Sequence, residues 1–78
     1  MILKIEYVGK VRRDDDLLLE LAKANSVKVS SIQRWLRPGN RKGNKLLTTV
    51  ENLGIIGRHF KISDTAELLE EETITEVR

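Results

Sequence analysis

Residues 21–35, LAKANSVKVSSIQRW, constrain the fold more than any other part of the chain. The segment opens on an apolar helical face, breaks at Asn25-Ser26, and resumes with inward positions Val27, Ile32 and Trp35 or Leu36. Asparagine tolerates left-handed backbone geometry and serine bonds locally within a turn, so the break reads as a tight corner between two helices. The second of two short helices joined in this way can lodge in the major groove of a duplex.

Charge sharpens the expectation. Residues 21–50 carry Lys23, Lys28, Arg34, Arg37, Arg41, Lys42 and Lys45 and no acidic side chain, although the whole chain has 14 basic and 12 acidic residues. A field of one sign in a nearly neutral protein points to an anionic partner. The acidic groups gather elsewhere: Asp14, Asp15 and Asp16 precede the leucine run, and residues 64–78 hold Asp64, Glu67, Glu70, Glu71, Glu72 and Glu76 against Arg78.

A chain of 78 residues reads as a single domain over 1–78, too small to join a binding domain to a catalytic one. Without cysteine it has no disulfide framework or thiolate metal site, and His59 is its only histidine. Neither His59 nor Ser63 belongs to a spacing that assembles a nucleophilic triad, so no enzyme is expected. No apolar run is long enough to span a bilayer and no secretory leader opens the chain, which implies a cytoplasmic protein with no membrane partner.

Along the chain, Leu3, Ile5 and Tyr7 alternate with Lys4 and Glu6, which predicts a strand over residues 2–8; a helix through Ile2, Ile5, Val8 and Val11 is the competing pattern. The aspartate triplet predicts a capped helix near 17–24. Leu17, Leu18, Leu19 and Leu21 cover more of its circumference than one stripe needs, so it is buried on two sides or lends a leucine to a subunit interface. A second helix over about 29–36 ends at Pro38-Gly39, and residues 38–45 read as a loop or hairpin tip. Thr48 and Glu51 have capping-box spacing ahead of a helix continuing to Phe60, in which Gly54 and Gly57 suggest close backbone approach. After a turn at Lys61-Ile62-Ser63, Asp64 is placed to cap a short helix carrying Ala66, Leu68 and Leu69, and residues 73–77 alternate like a strand able to pair with residues 2–8.

Two fragments in this order resemble the lambda-repressor-like helix-turn-helix family of phage repressors, Cro-type proteins and related bacterial regulators. They are Leu21-Ala22, Ser26 before Val27, Lys28-Val29-Ser30, Ile32 and Trp35, followed by Phe60-Lys61-Ile62-Ser63. The resemblance covers roughly residues 17–69, with Ser26 standing where the family usually has glycine. It implies base contacts from Lys28, Val29, Ser30 and Gln33. The side-chain chemistry suits that role: amide toward adenine, ammonium toward guanine, hydroxyl toward several edges, and valine toward a thymine methyl. Val29 equally suits a buried face, three residues from Ile32. Arg34, Arg37, Arg41, Lys42 and Lys45 are placed as phosphate contacts.

The expectation is therefore a mainly α, compact four-helix helix-turn-helix domain with short N- and C-terminal strands. It would bind double-stranded DNA at a palindromic operator as a homodimer, regulate transcription and need no cofactor. Leu17, Leu18, Leu19 or the terminal strands would supply the dimer surface or a protein-partner site. The alternatives are a protein-interaction module of the same fold and a phage or plasmid packaging or partition component.

Overall fold

The structure, a computed structural model, describes residues 1–71. It is mainly helical: β1 (Ile2–Leu3), α1 (Ile5–Arg12), α2 (Asp15–Asn25), α3 (Val29–Trp35), α4 (Arg41–Leu46) and α5 (Val50–His59) are followed by a 3-10 turn (Thr65–Leu68) and β2 (Leu69–Glu70). There are thus five α-helices where four were expected. None of the helices among the described residues is long and apolar enough to cross a membrane.

Helix α2 is the centre of the molecule. The Asp14 carboxylate accepts from the Leu17 backbone N–H at 3.1 Å, and Asp15 and Asp16 occupy the favourable first turn. Leu17, Leu18, Leu21 and Ala22 are buried because α1, α3 and α5 all pack on α2. The broad leucine face is therefore core; Leu17 and Leu18 are unavailable to a second subunit, and only Leu19, 47% exposed, points outward.

The corner after α2 is made by Ser26, whose φ of 55° and ψ of 42° are left-handed. Its N–H donates to Lys23 O at 3.2 Å and Val27 N donates to Ala22 O at 3.0 Å, closing the last turn of α2. Asn25, the residue whose side chain suggested this geometry, stays helical. Its amide donates to Leu21 O at 2.7 Å and exchanges hydrogen bonds of 2.9 and 3.1 Å with Asn52, the buried polar residue of α5. Asn52 also donates to Leu46 O, so a saturated amide pair ties the corner to α5.

The strand expected over residues 2–8 shrinks to Ile2–Leu3, and residues 5–12 are helical. Alternation misled because Ile5, counted with Leu3 and Tyr7, is 79% exposed; the inward residues are instead buried Val11 and half-buried Tyr7 and Val8, at helical spacing. β1 pairs antiparallel with β2 inside one chain, Ile2 opposite Glu70 and Leu3 opposite Leu69. On the other edge the Asn44 side chain substitutes for a strand, accepting from Leu3 N at 2.8 Å and donating to Leu3 O at 3.4 Å. The strand expected at 73–77 lies outside the described residues.

Residues 38–45 are not simply a loop, since Arg41–Leu46 is helical. Asn40 caps this helix by accepting from Gly43 N at 3.0 Å. At α5 the cap is Thr49, whose hydroxyl accepts from Asn52 N at 3.2 Å, while Thr48 donates to Lys45 O. The helix ends at His59, with Phe60 as its C-cap. Gly57 does face close backbone, since a Cβ there would lie 3.0 Å from Ile62 O; Gly54 faces nothing within 4 Å, and close approach explains only the first. Asp64 caps the 3-10 turn by accepting from Ala66 N.

Candidate nucleic-acid interface

Helix α3 is short and turns only one side inward. Ile32 and the C-cap Leu36 are buried, and Val29 and Trp35 are half-buried against the core. At about 100° per residue, Arg34 lies nearly opposite Ile32 and faces outward. Lys28, Ser30, Gln33, Arg34 and Arg37 are exposed. Three of the four residues expected at bases are thus presented, whereas Val29 contributes to packing. Lys28 is the N-cap of α3; its ammonium, which only donates, cannot cap the helix N–H groups, and the residue is exposed.

The cations of α4 are held in a fixed relation to this surface. Gly43 brings the α4 backbone so close to α3 that a Cβ would lie 2.5 Å from the Trp35 Cα. Asn40 locks the junction from both sides: its Oδ1 starts α4, and its Nδ2 donates to Arg34 O at 2.8 Å near the end of α3. Arg41, Lys42 and Lys45 are all exposed. Their helix, where a loop was expected, sets the spacing of the basic side chains against α3.

A further cation joins them from outside the sequence motif. Arg12, in the last turn of α1, lines a polar concavity with Ser30, Gln33, Arg34 and Arg37. No ion pair holds Arg12, Arg34 or Arg37 among the described residues. The Arg12-Arg13 pair is visible in the sequence, but only the helical course of residues 5–12 brings Arg12 to α3.

Arg37 also borders a second, apolar groove formed by Ile2, Ile5, Val8 and Pro38. Away from both, His59 Nε2 meets Asp14 Oδ2, and the His59 ring stands edge-on to Phe60 with centroids 5.4 Å apart. The Asp14 carboxyl is held below its ordinary value, first by the Leu17 N–H and then by His59. Asp14 is thereby occupied with a helix cap and a histidine, and His59 with structure.

Comparison with family models, curated proteins and solved structures finds no match to this chain.

Proposed function

We propose that this protein binds double-stranded DNA through α3 and regulates transcription in the cytoplasm, as a member of the lambda-repressor-like helix-turn-helix group. The observation that carries the proposal is the joined surface of α3 and α4. Lys28, Ser30 and Gln33 are exposed beside Arg34, Arg37, Arg41, Lys42 and Lys45, and residues 21–50 contain no carboxylate. Amide, hydroxyl and ammonium groups on an outward helix suit base edges, and guanidinium and ammonium groups around them suit phosphates. No cofactor has a role in this chemistry.

Two-fold pairing completes the proposal, because one short helix reads few base pairs and a dimer addresses two half-sites about 34–36 Å apart. With Leu17 and Leu18 in the core, the exposed Ile5 beside Ile2 and Val8 is the apolar surface best suited to a subunit contact. The same feature supports the second reading, a protein-interaction module. Selection from a random duplex library tests the choice. An enriched palindrome, with loss of enrichment in Gln33→Ala, is the expected result; recovery of no preferred sequence by a protein that binds duplexes weakly or not at all removes the regulator proposal.

A further inference from the structure

Helix α3 is flanked on its two sides by different elements. Gln33 and Trp35 are two residues apart and therefore lie about 160° from each other around the helix, with Arg34 between them on the outward side. On the Trp35 flank sits α4, drawn in by Gly43 against the Trp35 backbone and bearing Lys42. On the Gln33 flank sits the end of α1, where Arg12 shares with Ser30, Gln33 and Arg37 a polar concavity that extends to Arg34 on the ridge. Cations thus stand on both sides of the exposed ridge of α3.

From this placement we infer that Arg12 is a DNA phosphate-binding residue, and that with Arg37 it grips one backbone of the duplex while α4 grips the other. The inference rests on duplex binding by α3. A helix in the major groove, about 12 Å wide, has a phosphate backbone along each flank. A cation on only one flank leaves the helix free to roll toward the other strand, whereas cations on both fix its depth and angle. The guanidinium of Arg12 supplies planar donors suited to a phosphodiester, and its exposure at the end of α1 lets it reach outward without disturbing packed side chains. Gln33, beside it, then contacts base edges from a helix whose rotation is set by Arg12.

The test uses the full chain and a fluorescent duplex of about 20 base pairs, two helical turns, first of mixed sequence. Arg12→Gln, Arg34→Gln and Lys42→Gln are compared with the parent, after circular dichroism shows unchanged helix content. Each lost phosphate contact lowers the salt exponent by about 0.9, so a fourfold rise in salt weakens Arg12→Gln about 3.5-fold less than the parent. On a duplex recovered by selection, single phosphates are then replaced with neutral methylphosphonates. Arg12→Gln loses sensitivity to replacement of a phosphate on one backbone, and Lys42→Gln to replacement of a phosphate on the other. An Arg12→Gln protein with the parent's affinity and salt exponent, beside a weakened Arg34→Gln, overturns the role of Arg12 and leaves duplex binding standing. Insensitivity of both flank variants to the same phosphates overturns the two-sided grip. A parent that binds no duplex overturns the inference together with the function it rests on.

Discussion

Helices α2 and α3 meet at a single corner, yet they divide the work of the molecule between them. α2 spends its apolar residues on the interior: Leu17, Leu18 and Leu21 are fully buried, and each such side chain contributes about 1.5–3 kcal/mol relative to exposure. Within α3 only Ile32 is fully buried, and most of its surface is hydroxyl, amide and guanidinium open to solvent. α3 is too short to be stable alone and keeps its shape by leaning on α2 and α4. On the proposed function, stability resides in α2 and recognition in α3, so variants of the two should fail in different ways.

The largest expected effect is at Leu18. Leu18→Ala opens a cavity in the centre and is expected to cost about 2–5 kcal/mol, a large part of the roughly 5–15 kcal/mol that stabilises a small domain. Urea unfolding followed by circular dichroism reads this as a lower midpoint at nearly constant slope. The counterpart on α3, Arg34→Gln, should stay within about 0.5 kcal/mol of the parent while weakening duplex binding. Equal stability losses in the two variants would break the division between the helices.

The same division explains what was legible in the sequence. Helix α2 announces itself through the Asp14 cap and the leucines after it, and α3 through Ile32, Leu36 and the Pro38-Gly39 stop, because their signals are local. Residues 5–12 carry an ambiguous pattern: Leu3, Ile5 and Tyr7 alternate as a strand would, and only tertiary packing, against α2 and for Tyr7 also the Phe60 ring, selects Tyr7, Val8 and Val11 as the inward set. Helix α4 was hidden by Gly39, Gly43 and two asparagines that resemble loop composition. The Asn40 cap three residues before Gly43 was its one local sign, and the reason for Gly43 is the Trp35 backbone, a neighbour set by tertiary structure. Arg12 carries no local sign of its role for the same reason: its place beside Gln33 depends on how α1 docks. At Ser26 and Asn25 the corner was located but the roles were exchanged. Asn25 remains helical because its amide has a better partner in Asn52.

An intermediate effect is expected where recognition depends on packing. Gly43→Ala adds about 1 kcal/mol of helix propensity but places a Cβ 2.5 Å from the Trp35 Cα and 2.6 Å from the Asn40 amide nitrogen. Side chains can move aside; a backbone carbon in a neighbouring helix cannot without shifting the helix. The clash outweighs the propensity, and a net loss of about 1–3 kcal/mol is expected. Because α4 carries Arg41, Lys42 and Lys45, its displacement should also weaken duplex binding beyond what the fraction unfolded explains. Full affinity in a destabilised Gly43→Ala protein would show that the position of α4 against α3 does not matter to the ligand.

The smallest expected effect lies at the corner itself and is favourable. Ser26 holds a left-handed conformation that costs an L-residue about 1–2 kcal/mol, and no side-chain hydrogen bond of Ser26 compensates among the described residues. Glycine removes that strain and returns about 0.5–1 kcal/mol of it through the greater freedom of the unfolded chain. Ser26→Gly is therefore expected to gain about 0.5 kcal/mol, raising the melting temperature by about 2–4 °C in a domain of this size. The corner's backbone bonds, Ser26 N to Lys23 O and Val27 N to Ala22 O, do not involve the side chain, so α3 should keep its angle and duplex affinity should be unchanged. A lower melting temperature would mean that the serine side chain contributes more to the corner than its strain costs. A raised melting temperature with altered affinity would mean that the corner tunes the pose of α3, and the boundary between the stabilising helix and the recognising helix would then have to be drawn past Ser26.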